Sequence, residues 1–299
     1  MLGSTVLLRT PLPLTQGSRH GASPARSCPV ERFYKYHGLG NDFVVLDRRQ
    51  SGVDLDSASS RQLCDRHFGI GADGVLVILP EAGTAGRMVV HNADGSTAEM
   101  CGNGLRCVVK HVAEAQGDRP TVLSIATGAG VLRSELEWLG SEVERVIVDM
   151  GPARLVDAAL PHGGPFVRRR IDGVEGTAVS MGNPHLVLLD TPRSVAEQLG
   201  PVLERHALFP NRTNVEFVEP RPAGGLRVVV WERGVGITLA CGTGACASVA
   251  AAAIDGRAPF DQWVPVELLG GVLDIKVASD LSAVQLRGPV RFVFSGALP

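Results

Sequence analysis

The chain has 299 residues, of which 44% are hydrophobic and 20% are charged, and its formal net charge is −2. This length allows two domains of ordinary size, each with its own core. The nearly neutral charge argues against a protein that binds nucleic acid or a membrane surface. No apolar run is long enough to cross a bilayer as a helix.

The first thirty residues differ in composition from the rest of the chain. They contain Arg9, Arg19 and Arg26, several Ser and Pro, and neither Asp nor Glu. We predict a disordered N-terminal extension over residues 1–32, and an organellar transit peptide over residues 1–30 is the alternative. Since no secretory signal is recognisable, we otherwise expect a cytoplasmic protein.

The folded part is predicted to begin at Phe33, and apolar periodicity then predicts two series of elements. The first series has strands at 43–46, 75–79 and 88–91, and helices at 58–67 and 105–115. The second series has strands at 177–179, 186–189, 215–218, 228–231, 264–268, 272–275 and 290–294, and helices at 195–206 and 245–254. The last helix consists almost wholly of small apolar residues, which predicts burial on all sides.

Three short segments recur in the same order in both halves of the chain. The matched pairs are Gly40-Asn41-Asp42-Phe43-Val44-Val45-Leu46 with Gly182-Asn183-Pro184-His185-Leu186-Val187-Leu188, Asp73-Gly74-Val75-Leu76-Val77 with Asn214-Val215-Glu216-Phe217-Val218, and Cys101-Gly102-Asn103-Gly104 with Cys241-Gly242-Thr243-Gly244. Their offsets are 142, 141 and 140 residues. A recurrence in register indicates two halves of the same architecture.

We therefore predict an α+β fold of two pseudo-symmetric lobes, each a curved, mainly antiparallel sheet wrapped round a central helix. The lobes are predicted at residues 33–150 and 151–285, with 286–299 returning to the first. The active site would lie in the cleft between them, with Cys101 and Cys241 on opposite sides. Such a geometry suits inversion of a tetrahedral carbon, because one group can remove a proton from one face while the other delivers a proton to the opposite face.

The cysteines indicate free thiols in a reducing compartment rather than a disulfide framework. They are Cys28, Cys64, Cys101, Cys107, Cys241 and Cys246. Because their spacing lacks the C-x2-C knuckle of structural zinc sites, no metal site is predicted. A free cysteine is usually a small buried hydrophobe, and only Cys101 and Cys241 escape that interpretation, through their duplicated Cys-Gly-x-Gly unit.

A thiol in the first turn of a helix lies near free backbone N–H groups and the positive end of the helix dipole. We expect this position to lower the pKa of each thiol from ~8.5 by about one pH unit, so that thiol and thiolate coexist. The glycines that follow each cysteine would let N–H groups approach a substrate carboxylate. Those groups would stabilise the charge that develops when the α-proton leaves.

Four longer motifs resemble those of the diaminopimelate epimerase family, and the similarity runs from about Phe33 to near the C-terminus. The motifs are Tyr36-His37-Gly38-Leu39-Gly40-Asn41-Asp42-Phe43, Asn92-Ala93-Asp94-Gly95-Ser96 with Cys101-Gly102-Asn103-Gly104-Leu105-Arg106-Cys107, Met181-Gly182-Asn183-Pro184-His185, and Glu232-Arg233-Gly234 with Ala240-Cys241-Gly242-Thr243-Gly244-Ala245. The resemblance implies an isomerase without cofactor that interconverts LL- and meso-2,6-diaminopimelate by proton transfer between two thiols and an α-carbon. Its place would be in lysine and peptidoglycan precursor biosynthesis.

The resemblance also implies the residues of the site, with Cys101 and Cys241 as the catalytic thiols. The implied substrate contacts are Asn41, Asn92, Gly102, Asn103, Asn183, Asn214, Glu232, Arg233, Gly242 and Thr243. Arg233 offers a bidentate fork for a second carboxylate. Two roles stay open: His185 either tunes a thiolate or is a satisfied core histidine, and Glu232 either binds the substrate ammonium or pairs with Arg233.

The chain departs from the family pattern at Ile237, where the family usually has Glu, and this puts the substrate in question more than the reaction. One alternative is a related two-cysteine racemase with another substrate, such as a proline racemase-like enzyme. Arg233 argues against it, because a monocarboxylate leaves that guanidinium unused.

Two further alternatives use different chemistry. A pyridoxal phosphate racemase needs a Schiff-base lysine, but Lys35, Lys110 and Lys276 stand in no phosphate-binding context, so we expect no cofactor. A thiol-rich binding module without turnover is the non-enzyme alternative. We expect a small-molecule substrate and neither nucleic acid nor membrane as partner, and we leave a homodimer open.

Overall fold

The computed structural model describes residues 30–298 of the chain. Most of the predicted extension over residues 1–32, and Cys28 with it, lies outside the described residues. The first strand begins at Arg32, one residue before the predicted start of the fold.

The described chain forms two series of elements. The first comprises β1 (Arg32–Gly38), β2 (Asn41–Asp47), α1 (Ser57–Cys64), β3 (Gly74–Leu79), β4 (Arg87–Asn92), β5 (Thr97–Ala98), α2 (Gly102–Gln116), β6 (Val122–Thr127), β7 (Gly130–Leu139) and β8 (Glu142–Asp149). The second comprises β9 (Arg169–Ile171), β10 (Val174–Ser180), β11 (Pro184–Leu188), a 3-10 turn (Arg193–Val195), α3 (Ala196–Glu204), β12 (Asn214–Pro220), β13 (Leu226–Glu232), β14 (Gly236–Ile237), α4 (Gly242–Ile254), β15 (Val264–Leu268), β16 (Gly271–Val277), β17 (Val284–Pro289) and β18 (Arg291–Ala297).

The strand pairings of the first series are repeated in the second. In the first, β2 is parallel to β3, β4 is parallel to β6, and the pairs β1–β2, β3–β4, β4–β5, β6–β7 and β7–β8 are antiparallel. In the second, β11 is parallel to β12, β13 is parallel to β15, and the pairs β10–β11, β12–β13, β13–β14, β15–β16 and β16–β17 are antiparallel. The sequence repeat therefore corresponds to a repeat of topology.

The two series are also joined by strand pairing. β18 follows the second series and pairs with β1 of the first, whereas β9 pairs with its neighbour β10 inside the second series. β8 and β17 pair antiparallel where the two series meet. The first series thus takes one strand from the C-terminal end of the chain.

One helix lies at the centre of each series. α2 contacts β1, β2 and β8, and α4 contacts β10, β15 and β16. Every residue of α4 from Gly244 to Ala253 is buried, which confirms the expected burial on all sides. The main hydrophobic core contains residues of both helices and of both series, so the burial of apolar surface stabilises the two together.

The mixed α+β class and the mainly antiparallel sheet are confirmed, but several predicted helix limits were wrong. α1 ends at Cys64 instead of residue 67, because the carboxylate of Asp65 accepts from the N–H groups of His67 and Phe68 at 2.8 Å and forms a turn. α2 and α4 each begin three residues earlier than predicted, since Cys101 and Cys241 act as N-caps. None of the helices within residues 30–298 is long and apolar enough to span a bilayer.

Candidate active site

Cys101 and Cys241 occupy the same local structure, the N-cap of a central helix. Both have extended backbone angles, φ −142° and ψ 114° at Cys101 and φ −118° and ψ 111° at Cys241. The Sγ of Cys101 accepts from the N–H of Gly104 at 3.5 Å, and that of Cys241 accepts from the N–H of Gly244 at 3.4 Å. The duplicated Cys-Gly-x-Gly unit therefore forms a sulfur-capped helix start in each half.

The two helix starts meet at Asn103. Its Nδ2 donates to Asn41 Oδ1 at 3.0 Å, within the first half, and to the backbone carbonyl of Ala240 at 3.4 Å, in the second half. Ala240 directly precedes Cys241, so this bond connects the start of α2 with the start of α4. Asn41 is held in turn by Asp73, whose Oδ2 accepts from its Nδ2 at 2.8 Å.

The thiol pKa values differ from the sequence-based expectation. Burial raises the pKa of Cys101, while the N–H of Gly104 and the charge of Arg106 oppose that rise. Burial raises the pKa of Cys241 well above its usual value, and the carboxylates of Glu232 and Glu216 raise it further. The expected lowering was wrong, because loss of solvent outweighs the helix N-terminus at both thiols.

A buried hydrogen-bond chain reaches Cys241 from His185. The His185 ring is completely buried, and its Nδ1 lies 2.6 Å from Glu216 Oε1 and its Nε2 3.0 Å from Asn183 Oδ1. Asn183 Nδ2 donates to Thr243 Oγ1 at 3.4 Å, and that hydroxyl lies 3.5 Å from Cys241 Sγ. Asn183 and Thr243 thus connect His185 to the thiol by hydrogen bonds.

The carboxylate of Glu232 influences both thiols. Its Oε1 accepts a bond of 2.5 Å from the hydroxyl of Thr238, and its carboxylate does not pair with Arg233. Burial raises the pKa of Glu232, and hydrogen bonds from Thr238 and Cys241 offset part of that rise. After burial, the charge of Glu232 also raises the pKa of Cys101, so the charge of one carboxylate acts on both thiols.

Arg233 is held by its backbone and leaves its charge available. Its N–H donates to Asn214 Oδ1 at 2.9 Å, and Asn214 Nδ2 donates to the Pro184 carbonyl at 3.0 Å. The guanidinium of Arg233 donates to the Asn211 carbonyl at 2.9 Å, and within residues 30–298 it forms no ion pair. A carboxylate from outside the chain can therefore be bound there.

The other predicted contact residues lie at the same two helix starts, with one exception. A Cβ built on Gly102 would approach Met150 Cε to 3.3 Å, and one on Gly242 would approach Leu286 Cδ1 to 3.2 Å, so the backbone at both glycines is closely packed. Asn92 instead donates to the hydroxyl of Ser96 at 2.9 Å within a turn, and it makes no hydrogen bond to the other predicted site residues.

Three residues near the thiols were not predicted from the sequence: Arg106, Glu216 and Thr238. Glu216 and Arg106 are both fully buried. In both cases the available signal was a charged residue among apolar ones. Glu216 lies in the run Val215-Glu216-Phe217-Val218, and Arg106 lies on a buried face of its helix.

Solved structures define the class of protein to which this fold belongs. A phenazine biosynthesis protein of the PhzF family from Bacillus anthracis superposes with a TM-score of 0.69 at 14% identity, over 90% of this chain and 99% of that chain. A hydroxyproline epimerase from Agrobacterium vitis, with bound trans-4-hydroxy-L-proline, gives a TM-score of 0.63 at 16% identity, over 90% and 91% of the two chains. The class of proteins that share this fold therefore includes this PhzF-family protein and this hydroxyproline epimerase.

The sequence comparison identifies the family within that class. The family described as diaminopimelate epimerase matches residues 33–156 and 177–293. A diaminopimelate epimerase from Synechocystis sp. is 45% identical over 277 residues, which cover 88% of this chain and 97% of that protein. The chain belongs to the diaminopimelate epimerase family.

Proposed function

We propose that this chain is an isomerase that interconverts LL- and meso-2,6-diaminopimelate, with Cys101 and Cys241 as its acid/base pair. The observation that carries the proposal is the pair of sulfur-capped helix starts joined by the Asn103 bond to Ala240. The family supports the substrate and the place in lysine biosynthesis.

The proposed reaction is a proton relay between two sulfurs and one carbon. A thiolate removes the α-proton, so that an S–H bond forms and the C–H bond breaks, leaving its electron pair on a planar carbanion. The opposite thiol then breaks its S–H bond and protonates the other face. Each turnover moves the thiolate from one cysteine to the other, so the reverse reaction restores the starting state.

The substrate carboxylate at the reacting centre is assigned to the backbone N–H groups of the two helix starts. These groups and the helix dipoles stabilise the negative charge that spreads from the carbanion. The α-ammonium is assigned to Glu232, whose charge acts on both thiols. Arg233 is assigned to the distal carboxylate, because it is exposed and forms no ion pair among the described residues. This assignment also disfavours proline, which has one carboxylate.

The two series are proposed to be two lobes, residues 33–150 and 151–285, with the C-terminal segment packed on the first. The predicted boundary at residue 286 falls inside β17, and the strand that pairs with β1 begins at Arg291. The five cysteines within residues 30–298 are free thiols, which fits a reducing compartment such as the cytoplasm.

Incubation of the enzyme with LL-diaminopimelate in deuterium oxide tests the function. We expect deuterium to enter one α-carbon with inversion, because the thiols exchange their protons with solvent between turnovers. Proton NMR of the recovered substrate gives the label, and chiral chromatography gives the configuration. Proline and trans-4-hydroxy-L-proline serve as parallel substrates.

Three results would contradict the proposal. Label in proline with none in diaminopimelate would move the chain to the proline racemase-like alternative. Full activity in both Cys101→Ala and Cys241→Ala would rule out thiol acid/base chemistry. Activity that depends on added pyridoxal phosphate would rule out the proposed absence of a cofactor.

A further inference from the structure

Arg106 is a completely buried guanidinium without a carboxylate partner. It lies on α2, and within residues 30–298 it is the largest side chain that is fully buried. Among residues 30–298, no Asp or Glu lies within ion-pair distance of it. Its Nε makes no hydrogen bond to any described residue. A buried cation is normally paired, so this one needs an explanation.

The guanidinium is turned back towards the start of its own helix. Nη1 donates to the Gly102 carbonyl at 3.3 Å, and Nη2 donates to Asn103 Oδ1 at 2.9 Å. Both acceptors directly follow Cys101, so the charge lies one turn from that thiol. The amide of Asn103 that Arg106 holds in this way is the one that bonds to Asn41 and to the Ala240 carbonyl.

Two glycines, each from a strand that packs near α2, leave space for this side chain. A Cβ built on Gly38, at the end of β1, would lie 2.8 Å from Arg106 Nη2. A Cβ built on Gly288, in β17, would lie 3.2 Å from Arg106 Nε. The space around the guanidinium is therefore bounded by α2, β1 and β17, and a side chain at either glycine would force the guanidinium to shift.

Two physical effects make this location unfavourable for a cation. Burial removes its hydration, and the N-terminus of a helix carries a partial positive charge that repels it. Because both effects destabilise the charged form of Arg106, a negative charge nearby is needed to offset them. Since no carboxylate supplies that charge, the thiols that face Arg106 are the remaining source.

The ionisable groups whose charges act on Arg106 are three thiols: Cys101 at the N-cap of α2, Cys107 in α2 and Cys246 in α4. Burial raises the pKa of Cys107 to about 12 and raises that of Cys246 still further, so both remain neutral at physiological pH. Cys101 is only half-buried, and Glu232 is the carboxylate that faces it. Cys241, by contrast, faces the two carboxylates of Glu232 and Glu216.

We propose that Arg106 is a positioning residue whose buried charge favours the thiolate of Cys101 over that of Cys241, so that Cys101 is the thiol that ionises first. Through Asn103, the same guanidinium keeps the two helix starts in contact. This inference rests on the proposed function and adds which of the two thiols gives up its proton more readily.

The wild-type protein provides the first test, which needs no variant at Arg106. Cysteine labelled with carbon-13 at Cβ reports thiolate formation by a change in its NMR shift, and Cys101→Ser and Cys241→Ser assign the two signals. We expect Cys101 to titrate at a lower pH than Cys241, since it faces the cation and one carboxylate instead of two. A Cys241 thiol that titrates first, or together with Cys101, would overturn the proposal.

The second test removes the charge with little change in volume, in Arg106→Met. We expect the pKa of the Cys101 thiol to rise by about one to three pH units, and the acid limb of the pH profile of kcat/KM to move with it. At a pH below both values, each unit means about tenfold less thiolate and about tenfold lower kcat/KM. The pKa of Cys241 should change by much less, which makes it an internal control.

Lys110→Met is the matched control variant. Lys110 is also a buried cation of α2, but its Nζ bonds to Glu114 at 2.7 Å and to the Val143 carbonyl at 2.8 Å. We expect this variant to leave the titration of Cys101 unchanged. An equal rise at Cys101 in both variants, or an equal rise at both thiols in Arg106→Met, would show general loosening and overturn the role of Arg106. If Arg106→Met does not fold, the wild-type titration decides alone.

These outcomes also separate this inference from the proposed function. If Cys101→Ser and Cys241→Ser still turn over LL-diaminopimelate at the wild-type rate, the proposed function fails. If both are inactive while Cys101 titrates independently of Arg106, only the inference fails.

Discussion

Buried carboxylates and histidine, rather than exposed charges, shape the second half of the candidate site. Glu216 and His185 are both fully buried and lie 2.6 Å apart. Burial raises the pKa of Glu216, and the charge and hydrogen bond of His185 oppose that rise. Such a pair contributes little net stability, and its effect is to fix Asn183, which His185 holds from its other nitrogen.

Asp42 offers a test of charge at the residue scale. It lies between Lys35 Nζ at 2.6 Å and Arg66 Nη2 at 2.7 Å, and its side chain is 17% exposed. Burial raises its pKa, but the hydrogen bonds and charges of Arg66 and Lys35 more than reverse this and lower it from 3.8 to about 2. The carboxylate therefore stabilises the fold above pH 4, and this contribution is lost as the pH falls towards 2.

We expect the difference in free energy of unfolding between wild type and Asp42→Asn to shrink by about 2 kcal/mol between pH 6 and pH 2. Urea unfolding at several pH values measures it. Asp118→Asn serves as the comparison for the pH series, because Asp118 is exposed and forms no ion pair within residues 30–298. A difference for Asp42→Asn that does not vary with pH would refute the assignment.

The roles of single residues were predictable where the residue type is rare and its motif is duplicated. Cys101 and Cys241 stand out in the sequence for that reason. Arg106 and Glu216 do not stand out, because a charged residue inside an apolar run does not show whether its charge will be paired, exposed or buried. Only the distances to Asn103 and His185 show what these side chains hold.

At the scale of elements, the helix start combines two functions in one sulfur. An N-cap side chain accepts from a free N–H of the first turn and stabilises the helix. At Cys101 and Cys241 the capping atom is also the proposed acid/base group. Capping and chemistry can be separated by comparing serine with alanine at the same position.

We expect Cys241→Ser to keep the stability of the protein and Cys241→Ala to lose about 1 kcal/mol, because serine is a good N-cap and alanine is not. Both variants should lose activity by roughly 10²-fold or more, since neither side chain can act as the thiol acid. Thermal unfolding and turnover of LL-diaminopimelate measure the two effects. Activity in the serine variant near that of wild type would show that the position is needed for capping alone.

Elements with continuous apolar runs were predictable, and elements with alternating charged residues were not. β3 and β12 matched their predicted positions closely because their strands are buried on both faces. β7 and β8 were missed, since charged residues such as Glu135 and Glu137 alternate along one exposed face. Their strand character comes from pairing with each other and with β17.

At the scale of the whole molecule, the pairing of β18 with β1 makes the first series depend on the C-terminal end of the chain. β18 completes the sheet of the first series by pairing with β1, and it brings Phe294 to 6.0 Å from Phe33 and Phe292 to 5.3 Å from Tyr36 between ring centroids. A half-chain expressed alone would leave strands without partners.

We therefore expect removal of residues 290–299 to destabilise the whole protein. Loss of the β1–β18 pairing and of both aromatic contacts should cost about 4 kcal/mol, or about 10 °C in Tm. Differential scanning calorimetry measures this change. Val293→Thr is the control, because Val293 is 51% exposed on the same strand and should leave Tm nearly unchanged. An unchanged Tm after truncation would show that β18 is dispensable.

The sequence by itself determined the duplication, the two cysteine units, the buried character of α4 and the mixed α+β class. These follow from local patterns, since periodicity and repeated motifs are properties of neighbouring residues. Only the tertiary structure decided which strands cross between the halves, that burial outweighs the helix ends at both thiols, and that Arg106 has no carboxylate partner among the described residues. Each of these depends on which residues, far apart in the sequence, surround a group in space. The sequence alone does not give those distances in space.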